Sequence, residues 1–110
     1  MSIRITNEGW ATDPEARAIR VEVAPGRSYL FPHEHFIQSE LIRGEDGDTL
    51  TIDIADHRIT VQGRQLHRVE LALQRRQLSL LASIVRKITE VEGTTLVMVV
   101  EVSSRIQEDQ

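Results

Sequence analysis

The chain contains no cysteine. That removes disulfides, thiolate-bound zinc, iron–sulfur clusters and thiol nucleophiles, and it fits a reducing compartment. Aromatic side chains are scarce: Trp10, Tyr29, Phe31 and Phe36 all precede residue 37. The basic segments downstream therefore carry no interleaved rings on which bases could stack. None of the six glycines stands in a GxGxxG or GxxxxGKS/T arrangement, which excludes the backbone phosphate cradles those motifs build. No serine sits in a glycine-framed elbow, so a Ser/His/Asp relay has no local support. No apolar run is long enough for a membrane-spanning helix, and Met1–Trp10, with Arg4 and Glu8, lacks the apolar stretch of a secretory signal. A cytoplasmic address without a membrane partner is the expectation.

What remains is an ordinary globular composition. The 110 residues are 40% hydrophobic and 27% charged, enough chain for one core and too little for two, so 1–110 is expected to form a single domain. The net charge of −4 argues against general attraction to nucleic acid. That average hides a division. Residues 38–56 hold six acidic groups (Glu40, Glu45, Asp46, Asp48, Asp53, Asp56) against Arg43 alone. Residues 57–87 hold seven basic groups (Arg58, Arg64, Arg68, Arg75, Arg76, Arg86, Lys87) against Glu70 alone. Such a division makes either two opposed surface patches or neighbouring elements that neutralise one another.

Hydrophobic periodicity predicts the elements. Ile19, Val21 and Val23 alternate with charged residues over 18–24, and Ala24-Pro25-Gly26 ends that strand. A second strand is expected over about 35–42, closed by Gly44-Glu45-Asp46-Gly47-Asp48. A third follows, with Leu50, Ile52 and Ile54 on one face, and then a fourth carrying Ile59 and Val61 to Gly63, the two forming a hairpin. After Gly63 the period changes: Leu66, Val69 and Leu73 share one arc of a helical wheel and Arg64, Arg68 and Arg75 the opposite one. The segment 78–88 fits a strand or a continuing helix, and the strand is preferred. The run 94–103 reads as a strand covered on both faces, paired as a hairpin with the segment before it. The predicted fold class is α+β: a mainly antiparallel sheet, or a partly closed barrel, of about six strands with one amphipathic helix at roughly 64–76.

Two patterns bear on chemistry. In Pro32-His33-Glu34-His35, two histidines separated by one residue share a face if the segment is an extended strand, and their imidazoles would then meet on one divalent metal. Gly26, His33, His35, Glu40 and Gly44 together resemble the first motif of the cupin superfamily. That resemblance implies a metal held by His33, His35 and Glu40, with His57 or His67 as a further ligand. It covers under a fifth of the chain, and the family's second motif has no counterpart. The alternative is that His33 and His35 are hydrogen-bonded loop or strand-edge residues. Glu45-Asp46-Gly47-Asp48 lacks the ligand spacing of a calcium loop and reads as a solvated turn.

The second pattern is the arginine stripe, Arg64, Arg68 and Arg75, which would track a phosphate backbone or form a solvated helix face. Leu71 falls on that polar side, where an apolar residue suggests a contact with another copy of the chain. The leading expectation is a non-enzymatic interaction or assembly module, joined to itself or to another protein, that uses sheet edges, the charge division and the surface around Leu71. A small cupin-like metal-binding protein is the second expectation, and nucleic-acid binding through the arginines the third.

Overall fold

The computed structural model describes residues 8–83 and 95–105. Eight strands and one helix follow in order: β1 (Trp10–Thr12), β2 (Ala18–Ala24), β3 (Arg27–Pro32), β4 (Phe36–Gly44), β5 (Gly47–Ile54), β6 (His57–Arg64), α1 (His67–Gln74), β7 (Leu78–Ala82) and β8 (Leu96–Ser104). They form two four-stranded sheets, ordered β1-β7-β2-β3 and β4-β5-β6-β8. All pairs are antiparallel except β2 with β7. The expected mixture of antiparallel sheet and one helix is present, but among the described residues there are eight strands rather than about six, in two sheets rather than one, and without barrel closure.

The turns follow from their residues. Pro25-Gly26 connects β2 to β3, with Gly26 at φ +80°, a value open to glycine at little cost and matching the third position of a type II turn. Ala55-Asp56 connects β5 to β6 in register, Ile54 opposite His57, and Ala55 takes a positive φ of 53°. Between the first and second sheets the chain passes through a single 3-10 turn, His33–His35.

Side chains of both sheets and of α1 share one apolar interior: Ile19 and Val21 from β2, Leu50, Ile52 and Ile54 from β5, Ile59 and Val61 from β6, Leu81 from β7, and Leu66, Val69 and Leu73 of the helical segment. Leu66, Val69 and Leu73 are thus the helix face the sequence predicts. The amide of Leu66, just ahead of α1, donates to the buried Asp48 carboxylate at 3.1 Å. An acceptor supplied from β5 thereby satisfies a helix-start N–H for which the local sequence provides no side-chain cap.

Three expectations are corrected. The helix begins at His67, not near residue 64, because pairing with β8 carries β6 through Arg64 (Gly63 opposite Val97, Arg64 opposite Leu96). Gly63 is therefore not a break but a buried strand residue whose missing Cβ lets the Leu96 carbonyl approach. The strand at 94–103 pairs with β6, not with the segment before it; β7 instead lies between β1 and β2. Nor is that strand covered on both faces, for Met98 and Val99 are exposed where a bulge shifts its register. The part of the 78–88 prediction beyond Ser83 lies outside the described residues.

Candidate functional site

His33 and His35 do not share a face. In a 3-10 turn residues two apart are rotated by about 240°, not placed on one side as in a strand. The His33 ring is buried, and its Nε2–H donates to the Leu78 carbonyl at 2.8 Å. The His33 amide donates to Arg17 and the His35 carbonyl accepts from Ala55, so the turn fastens one sheet to the other. The His35 ring is half exposed and lies 4.0 Å from the Glu34 carboxylate. Glu40 is elsewhere, on the outer face of the second sheet. His57 packs between the sheets, 5.3 Å from the Phe31 ring and 5.8 Å from that of Tyr29, and its buried Nδ1 has no hydrogen-bond partner among the described residues. His67 is exposed at the start of α1. Among the described residues no three His, Asp or Glu side chains converge on one point.

The arginine stripe is also divided. Arg64 ends β6, Arg68 lies exposed in α1, and Arg75 is the residue that caps the helix. Arg64 belongs to the strand and only Arg68 and Arg75 to the helical segment, so the three do not form one helical stripe. Leu71 is exposed, as its position on the wheel requires.

On the outer face of the second sheet the charge division becomes a contact. Asp53 and Arg58 stand opposite one another across the β5–β6 hairpin, and Arg58 grips the carboxylate with Nε at 2.8 Å and Nη2 at 3.2 Å. Gln38 donates to it at 3.1 Å and Arg105 Nε lies 3.9 Å away. A thin layer of long side chains thus screens Asp53 from water. The Arg58 hydrogen bond, joined by those of Gln38 and the nearby Arg105 charge, holds its pKa below the ordinary 3.8 against the opposing cost of desolvation. The sequence shows both residues, but not that they meet.

The sheet edges differ sharply. Two backbone amides of β8 are covered: Val97 N–H donates to the Glu8 carbonyl at 2.8 Å, and Val100 N–H donates to the Ser83 hydroxyl at 2.9 Å. β1 is three residues long, too short to template much pairing. β4 spans nine residues at the opposite edge of its sheet, and among the described residues its backbone bonds β5 alone apart from the Phe36 N–H, which donates to the His33 carbonyl. Exposed Ile37 and Ile42 lie along it.

A cleft of about 500 Å³ opens beside β4, between the His33–His35 turn and α1, and includes Phe36, Ser39, Glu70 and Arg76 in its lining. No family model matches the chain, and no characterised protein or solved structure does either.

Proposed function

We propose that the chain is a non-enzymatic assembly module that joins a second copy of itself by strand addition along β4. The observation that carries this reading is the contrast between two nine-residue edges of one sheet: β8 is partly bonded over, and β4, among the described residues, is not. A long edge with apolar side chains and few charges is a template for another strand.

The sequence of β4 favours one register. A two-fold axis at Leu41 sets Leu41 against its own copy, Glu40 against Ile42 and Ser39 against Arg43. An axis at Glu40 instead puts like charges face to face, which is destabilising. Leu41 already begins an apolar row that continues through Leu50, Val61 and Val100, and the pairing extends this row into the second copy.

Sedimentation equilibrium over micromolar concentrations tests the proposal. Wild-type protein is expected to dimerise reversibly. Ile42→Glu, which sets a carboxylate opposite Glu40 of the second copy, weakens the dimer by about tenfold or more, and adding Glu40→Lys to that variant restores it. A wild-type monomer throughout, or an Ile42→Glu variant that associates as the wild type does, contradicts the proposal.

A further inference from the structure

We infer that the cleft between the His33–His35 turn and α1 seats Arg43 of a second copy of the chain, with the Glu70 carboxylate as its counter-charge. This contact rests on strand addition along β4 about Leu41, and it supplies a charge pair that fixes the register of that pairing.

Backbone geometry places the arginine. Ser39, Leu41 and Arg43 lie opposite Ile52, Leu50 and Asp48 of β5. All three therefore project from the face that carries the buried Leu50 and Ile52, where the apolar side of α1 also packs. An axis at Leu41 sets Arg43 of the second copy directly opposite Ser39, about 4.5–5.5 Å away between Cα atoms and on that same inner face. Ser39 lines the cleft together with Glu70 and Gln74 of α1, so the long arginine side chain enters the cleft from its β4 side.

Charge supports the same seat. Arg43 is the one basic residue of 38–56 and Glu70 the one acidic residue of 57–87. Among the described residues neither forms an ion pair. The carboxylate opposite Arg43 in its own chain is Asp48, which is buried and accepts from the Leu66 amide. The other charges lining the cleft are Glu34 and Arg76. Glu34 is exposed and lies 4.0 Å from the His35 ring, which leaves Glu70 as the acid beside Ser39. The acidic turn Glu45-Asp46 follows Arg43 and falls beyond Gln38, beside Ile37 and Phe36. Arg76, which lines the cleft with Phe36, therefore meets opposite charge from the second copy. A two-fold dimer makes each of these contacts twice.

Sedimentation equilibrium of charge-reversed variants, alone and mixed, tests the contact. Arg43→Glu and Glu70→Arg each set like charges together at both seats and should raise the dimer Kd by about tenfold. In an equimolar mixture the heterodimer brings each new charge against its opposite, so the mixture should associate about as strongly as wild type. Pairing of Arg43 with Glu70 inside one chain would give no such rescue. Because Arg43→Glu puts a carboxylate opposite Asp48 and strains the fold itself, alanine variants supply a second measure. Arg43→Ala and Glu70→Ala should each weaken the dimer, and the double variant should be little weaker than either one. The inference is overturned if the charge-reversed variants dimerise like the wild type, if their mixture associates no better than either alone, or if the alanine losses simply add. Any of these results, with wild-type dimerisation and its loss in Ile42→Glu intact, removes the Arg43 contact and leaves strand addition standing; a monomeric wild type removes both.

Discussion

Replacing Gly63 by alanine adds one methyl group where the fold leaves no room for it. A Cβ at this position falls inside the contact distance of the Leu96 carbonyl oxygen, lies 3.0 Å from the Leu96 carbonyl carbon, and meets Leu66 Cδ2 at 3.1 Å. The first two obstacles are backbone of the paired strand β8, so relief requires β6 and β8 to separate rather than a side chain to turn. Leu66 cannot yield freely either, since it is fully buried and its amide is tied to Asp48. Overpacking a core by one carbon costs about 1–3 kcal/mol, and an immovable obstacle puts this case at the upper end or beyond. The reduced freedom of the unfolded alanine chain offsets about 0.4–1 kcal/mol. A net loss of about 2–3 kcal/mol is a large share of the 5–15 kcal/mol typical of a domain, and corresponds to a Tm lower by about 10 °C or more. Gly26→Ala is the control: Gly26 has a positive φ but nothing within 4 Å of an added Cβ, so that variant bears only conformational strain, about 1–2 kcal/mol. Urea unfolding of the two variants, read through the midpoint at unchanged slope, gives the comparison. A Gly63→Ala protein within about 0.5 kcal/mol of wild type, or more stable than Gly26→Ala, would refute the steric argument.

Three other perturbations follow from single contacts. Asp48→Ala strands the Leu66 amide at the start of α1 and should cost about 1–3 kcal/mol in urea unfolding, whereas Asp48→Asn, which keeps an acceptor, should cost less; equal losses would show that the bond is not what matters. Because the pKa of Asp53 is lower folded than unfolded, its contribution is full above about pH 4 and is lost as pH falls through the folded-state value, so wild-type stability should drop more steeply than that of Asp53→Asn on acidification below pH 4, and parallel curves would contradict the Arg58 account. Ala55 occupies a positive-φ position of a two-residue hairpin, where glycine carries no Cβ penalty, so Ala55→Gly should raise stability by up to about 1 kcal/mol; a loss would mean that the turn conformation differs.

How far the fold was legible depended on whether the information was local. The β5–β6 hairpin could be read because Leu50, Ile52, Ile54, Ile59 and Val61 keep a strict period of two, and these residues are fully buried. The helix face could be read because Leu66, Val69 and Leu73 keep the helical period. β3 has no clear sequence signal because its alternation is weak: Phe31 turns inward while Leu30, also apolar, is exposed. β1 spans only three residues, too few to show a period. The partner of β8 is not legible locally, because an apolar run specifies burial but not which strand it meets. Gly63 resembles punctuation because a glycine required for close approach looks, in sequence, like one required for a turn.

The sites were less legible than the fold, since each depends on residues distant in the chain. Asp48 looked like one more turn carboxylate, and its link to Leu66 spans 18 positions. His33 was visible, but its anchor, the Leu78 carbonyl, is 45 positions away. The same-face geometry of His33 and His35 rested on an extended strand, and one 3-10 turn removes it. The left-handed backbone at Arg76 gave no signal, because such a helix end is usually recognised by a glycine that is absent at this position.

The open edge of β4 is tested most directly by amide hydrogen exchange measured residue by residue at low and high protein concentration. Strand addition predicts that the β4 amides facing away from β5, between Gln38 and Gly44, exchange rapidly when dilute and become protected as concentration rises, with Ile42→Glu abolishing the change. Exchange that is independent of concentration at those amides, in protein whose β5 and β6 amides remain protected, would contradict assembly through this edge.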